Sequence, residues 1–157
     1  MTSARIRLFA FGIVLTAWPA QAAEAIVGRW LLVNQQVGAT KFSSPEQLTL
    51  RVSPVGKTFE FAYSVPVNDI QFVSLRFSTK LDGSQADIKD ANGKTIGNAK
   101  VTKAGSQYKL IMQGPGKPPS SGTLTVSANG KTLTSESDSK PAGQSAPVHT
   151  IQVFSRQ

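Results

Sequence analysis

Apolar and polar residues alternate with a period of two along most of the chain. Leu48, Leu50 and Val52 alternate with Thr49 and Arg51, and Phe59, Phe61, Tyr63 and Val65 alternate with Glu60, Ala62 and Ser64. Val73, Leu75 and Phe77 follow the same rule, as do Tyr108, Leu110 and Met112, then Leu124 and Val126. Successive side chains of a strand point to opposite faces, so each run makes a strand with one apolar face. The stretch from Val148 to Phe154 mixes both phases, as a strand covered on both sides or lying at a barrel seam does. No run after the first two dozen residues has helical spacing, and the pattern predicts an all-β chain.

The spacing predicts ten strands, at 26–33, 46–52, 57–65, 71–79, 84–90, 94–102, 106–113, 119–127, 131–138 and 147–155. Stretches 34–45, 114–119 and 139–146 read as longer loops. The last two are rich in proline, which donates no ladder hydrogen bond. Asp82-Gly83, Asn92-Gly93 and Asn129-Gly130 separate the other runs. The two Asn-Gly pairs predict type I′ hairpins, because both residues tolerate positive φ. Adjacent strands are therefore expected to be antiparallel, in one up-and-down β-barrel of about eight to ten strands. Gly-Lys-Thr recurs at Gly56, Gly93 and Gly130 with three strands in each interval, which places successive copies at alternate ends of the sheet. A phosphate-binding P-loop needs a glycine five positions earlier, where Arg51, Ile88 and Thr125 stand, so the repeat reads as turns.

The beginning of the chain has a different pattern. Arg5 and Arg7 precede an apolar run from Leu8 to Trp18, too short for a permanent membrane span, and Pro19 breaks it. Ala20-Gln21-Ala22 has the small-x-small form of a cleavage site. Residues 1–22 are expected to be a signal peptide, and 23–157 the barrel domain; Ala23-Glu24-Ala25 offers a second cleavage site after residue 25. The protein is expected in the periplasm or outside the cell, and not as an integral membrane protein. It has no cysteine, which excludes disulfide staples, thiol catalysis, thiolate metal sites and a lipidated thiol.

The formal net charge is +8, of which two units belong to Arg5 and Arg7. No carboxylate lies between Asp90 and Glu136, whereas Lys94, Lys100, Lys103, Lys109, Lys117 and Lys131 do. Gathered on one face, these lysines would attract an anionic envelope component, lipid surface or polymer. Spread singly along strands, they keep a surface solvated and blunt sheet edges. Neither an arginine fork nor interleaved aromatics accompany them, and no specific nucleic-acid partner is expected.

Residues that carry chemistry are scarce. His149 is the only histidine, and no Gly-x-Ser-x-Gly elbow is present, so hydrolase triads and histidine metal clusters lack their parts. Asp82, Asp87, Asp90 and Asn92 form the densest oxygen-ligand cluster, but their spacing matches no calcium loop. Glycosidase chemistry would need paired acids such as Glu60 with Asp69 or Glu136, and nothing singles these out. No catalytic residue, metal or cofactor is expected. What remains is the apolar inner face: Phe59, Phe61, Tyr63, Val73, Leu75, Phe77, Tyr108, Leu110 and Met112. These either line a cavity for a small ligand or fill a solid barrel or sandwich core.

Gly28-Arg29-Trp30 resembles the Gly-x-Trp signature that opens the first strand of lipocalins, and Phe154-Ser155-Arg156 resembles the arginine-bearing end of their last strand. The resemblance implies that Arg156 stacks on Trp30 and seals the barrel floor, a cation–π contact of about 1 kcal/mol. The stretch Ser127 to Thr134, followed by Val153 to Gln157, is similar to the ending of small exported bacterial proteins of unknown function described as lipocalin-like or calycin-like. The combined expectation is a non-enzymatic, lipocalin-like barrel that binds a small apolar or amphiphilic molecule. The alternative is a filled barrel or sandwich whose basic stretch 94–131 binds an anionic partner.

Overall fold

The computed structural model describes residues 24–43, 47–67, 70–140 and 146–157. The expected signal peptide lies outside them. Eleven strands follow in order: β1 (Gly28–Val37), β2 (Thr40–Ser43), β3 (Thr49–Val55), β4 (Thr58–Val67), β5 (Ile70–Thr79), β6 (Asp82–Asp90), β7 (Thr95–Ala104), β8 (Gln107–Gln113), β9 (Ser120–Val126), β10 (Thr132–Ser139) and β11 (Val148–Arg156). Sequential neighbours from β3 to β11 pair antiparallel. β11 also pairs with β1, from Trp30↔Arg156 to Val37↔Thr150, and closes the sheet. The first half of β1 pairs with β3 and the second half with β2, so β2 and β3 share one position in a ten-position barrel. The mixed phase of β11 thus marks the seam.

All ten expected strands are present, and one expected loop is not a loop. Within 34–45, β1 continues to Val37, turns at Gly38 (φ 56°) and returns as β2. Asn34-Gln35-Gln36 carries no apolar alternation, so this extension is held by the ladder alone. The two Asn-Gly hairpins do not have type I′ turns. Neither Asn92 nor Asn129 has positive φ, whereas Gly93 (81°) and Gly130 (68°) do. Gly93 N–H donates to the Asp90 carbonyl and Gly130 N–H to the Ser127 carbonyl, which is a type I turn closed by a left-handed glycine. The side chains explain the choice. The Asp90 carboxylate accepts from the Asn92 and Lys94 amides, and Asn129 Oδ1 accepts from the Lys131 amide. Asp82-Gly83 is not a hairpin turn but the start of β6; the chain reverses at Lys80-Leu81, with Leu81 buried at φ 64°.

Gly56 and Gly130 turn at one end of the barrel and Gly93 at the other, as the spacing of the Gly-Lys-Thr repeat requires. At the first end, the floor, Ile26, Trp30, Leu50, Val52, Phe61, Phe77, Val101, Leu133 and Phe154 form a solid core. The outer face carries Arg51, Arg76, Lys89, Lys100, Lys109 and Glu136, all exposed, the reverse of a barrel that faces lipid.

Candidate ligand cavity

The floor is closed by the segment that leads into β1. Arg156 lies over the Trp30 ring with its guanidinium carbon 4.2 Å from the centroid. Its nitrogens donate to three backbone carbonyls, of Ala25 (2.6 Å), Val27 (2.8 Å) and Gly130 (2.6 Å). Trp30 Nε1 donates to the Ile26 carbonyl at 2.9 Å, so the buried indole leaves no donor unmade. Gly28 suits this arrangement twice over: its φ of 152° strains any other residue, and a Cβ there would stand 2.6 Å from Arg156 Nη1. Glu24 completes the closure, accepting from Lys103 Nζ (2.8 Å) and from the Tyr108 hydroxyl (3.0 Å). The Lys103 hydrogen bond lowers the Glu24 carboxyl below its ordinary value, against a smaller effect of burial. Burial, then the Glu24 bond, pushes the Tyr108 phenol up to about 12.

Above this floor the barrel is hollow. A lower hollow of about 340 Å³ is bounded by Leu48, Tyr63, Leu110, Leu124, Ser135 and Gln152, among others. An upper one of about 790 Å³ is bounded by Ile88, Ile96, Gln113, Ser139 and the 114–119 loop. Leu75, Met112 and Ser120 belong to both, so the two are contiguous. Their size falls in the range that holds small organic ligands. Tyr63 faces the hollow from deep in the barrel, and burial pushes its phenol up to about 12.

The nine residues expected on the inner face divide by height. Tyr63, Leu75, Leu110 and Met112 line the hollow. Phe61 and Phe77 stack beneath it, with ring centroids 5.1 Å apart and planes within 5°. Tyr108 is buried at the floor with Glu24, and Phe59 packs against the core. Val73 pairs with Ser64 beyond a bulge at Tyr63/Ser64, and its side chain lies outside the described residues.

The six lysines are not gathered on one face. Lys103 is engaged by Glu24 at the floor, and Lys131 sits in a floor turn. Lys100 and Lys109 project outward from the wall, Lys94 ends the β6–β7 turn at the mouth, and Lys117 lines the upper hollow. Among the described residues no three His, Asp or Glu side chains converge to hold a metal. Asp82 instead accepts from the Ser84 amide at the start of β6, and Asp90 from the Asn92 amide of the β6–β7 turn.

The polar part of the lining is not among the residues expected from the sequence. Ser120, Ser135, Ser137 and Gln152 all border the lower hollow, and Ser139, Lys117 and Lys140 border the mouth. The signal was available, since Leu133, Ser135, Ser137 and Ser139 share one phase of β10, but a search for apolar phases passes over it.

No family model and no curated protein matches the chain. Solved structures do. Zebrafish ileal bile acid-binding protein in complex with cholic acid superposes with a TM-score of 0.56 at 17% identity, covering 85% of this chain and 99% of that one. The wild-type fluorescent protein UnaG superposes with a TM-score of 0.54 at 14% identity, covering 85% and 98%. The fold is a lipocalin-like, calycin-type barrel. At these identities the likeness concerns the fold alone, and the calycin-type barrel here has its own floor plug and its own cavity lining.

Proposed function

We propose that this chain is a non-enzymatic binding protein that holds one small amphiphilic molecule in the mouth half of its barrel. The observation that carries this reading is the asymmetry of the interior. One end is packed solid and plugged by residues 24–27, while the other is hollow and reached through the mouth. A barrel that needed only stability would fill both halves, because unfilled volume forfeits packing energy. The cholic acid held by the zebrafish barrel is a ligand of this amphiphilic kind. The dispersal of the lysines gives no support to a single polyanion-binding face.

The reading includes export, with the mature chain beginning at Ala23. Cleavage after Ala25 would discard Glu24 and the Ala25 carbonyl, both engaged in the floor; cleavage after Ala22 keeps them.

The test is titration with 11-(dansylamino)undecanoic acid, whose emission rises in an apolar site. Saturable one-to-one binding that changes little between 50 mM and 500 mM salt is expected, since apolar burial is not screened. Absence of saturation, or binding that collapses with salt, overturns the proposal.

A further inference from the structure

The two sides of the hollow are chemically different, and this difference goes a step beyond the binding reading on which it rests. On the β5–β8 side the lining is Leu75, Ile88, Ile96, Leu110 and Met112. On the β9–β11 side Leu124 lies lowest, beside Ser135, and the rest is polar: Ser120, Ser135, Ser137 and Gln152, with Ser139 higher toward the mouth.

The polar side is not explained by the fold. The outer phase of β10 is Thr134, Glu136 and Asp138, so above Leu133 the strand is polar on both faces and gains little from burial. Apolar residues at 135 and 137 would serve the barrel better. The register also clusters the polar groups: Ser135 pairs with Gln152 on one side and Leu124 on the other, and Ser137 pairs with Gly122. A Cβ at Gly122 would stand 2.8 Å from the Glu136 carbonyl oxygen and 3.1 Å from Ser137 Cβ, so glycine leaves the space beside Ser137 clear. Among the described residues the Ser120 hydroxyl is spent on the Met112 carbonyl (3.3 Å), whereas the Ser135 and Ser137 hydroxyls and the Gln152 amide have no side-chain hydrogen bond within the protein.

Charge sets the second constraint. Among the described residues no Asp, Glu, His, Lys or Arg borders the lower hollow, where Tyr63 brings a phenol that stays neutral, and Lys117 and Lys140 are the charged residues that border the upper one at the mouth.

We infer that the ligand is an elongated amphiphile with a neutral body, hydroxyl or carbonyl groups along one flank, and an anionic group at the outer end. The apolar flank lies on Leu75 and Met112, the oxygenated flank on Ser135, Ser137 and Gln152, and the anionic end between Lys117 and Lys140. Neutral hydroxyl donors and an amide suit uncharged oxygens, and an ion at that depth would meet no counter-charge.

The experiment is competition against 11-(dansylamino)undecanoic acid by two acids of equal chain length, stearic acid and 9,10-dihydroxystearic acid. Wild-type protein is expected to bind the dihydroxy acid about ten-fold more tightly, the return on two hydrogen bonds made in a water-poor site. In the Ser135→Ala/Ser137→Ala double variant the ratio is expected to fall to near one. Equal or tighter binding of stearic acid by the wild type, or a ratio that survives the double substitution, overturns the inference and leaves the binding reading standing. Failure of the dansyl probe itself to bind overturns both.

Discussion

Arg156 is at once the cation over Trp30, 4.2 Å from the ring centroid, and the donor to three carbonyls that tie the entry segment to the β9–β10 turn. The segment leading into β1 and the last strand are thereby joined at the floor, where β1 and β11 pair in register at these same two residues. A lysine keeps the charge but presents no fork. Arg156→Ala is expected to destabilise the fold by about 1–3 kcal/mol in denaturant unfolding, and Arg156→Lys to recover less than half. A loss below about 0.5 kcal/mol for the alanine variant would show that the contact is ornamental.

Gly28 and Arg156 are expected to be coupled. The Cβ of Gly28→Ala would meet Nη1 at 2.6 Å, so in wild type the substitution should cost about 1–2 kcal/mol. In the Arg156→Ala background the clash is gone while the backbone strain at φ 152° stays, so only part of that cost should vanish, a departure from additivity that a double-mutant cycle measures. Strict additivity would place the role of Gly28 in backbone conformation instead.

The chain contains two tyrosines, Tyr63 and Tyr108, both pushed up to about 12 from 10.0. Ultraviolet titration of folded protein should therefore show almost no phenolate at pH 10.5, while protein unfolded in urea titrates near 10. A phenol whose folded value is raised contributes below its unfolded value, and that contribution is lost as pH rises from about 10 to about 12. Glu24 acts at the other end of the scale. Its lowered carboxyl stabilises above the ordinary carboxylate range and loses that contribution as pH falls through its folded value. Glu24→Gln should accordingly lower stability at neutral pH and match wild type in strong acid.

Leu75 borders both hollows, so a large ring there fills the space in which the ligand would lie. Leu75→Trp is expected to weaken the dansyl probe at least ten-fold while changing the melting temperature by only a few degrees, because the ring enters a void and not a packed core. Unaltered affinity would move the binding site out of the barrel.

The strands were legible because their inner halves are apolar and period-two patterning follows from the geometry of the pleat. β2 was not, since Thr40-Lys41-Phe42-Ser43 is held by its ladder to β1 and not by burial of one face. The Gly28/Trp30/Arg156 floor was readable by resemblance, but its partners Ile26 and Glu24 were not, because nothing local marks a residue that pairs with Lys103 across the barrel. Leu81 is the clearest case of tertiary override. A leucine with positive φ is disfavoured locally, yet its carbonyl accepts from the Lys103 amide, its own amide donates to Thr79 Oγ1, and its side chain is buried. The cavity itself was half legible. Its apolar side followed from strand phase, but where packing stops depends on the height of each residue in the barrel, which only the register supplies.

The binding reading is tested most directly at Met112. With Met1 it is one of two methionines in the chain, and it borders both hollows. Protein labelled with methyl-carbon-13 methionine, titrated with 11-(dansylamino)undecanoic acid, gives one methyl signal that reports from inside the barrel. The Met112 methyl resonance is expected to shift and to saturate at one equivalent of probe. A Met112 signal that stays in place while the probe binds elsewhere, or while it fails to bind at all, would contradict it.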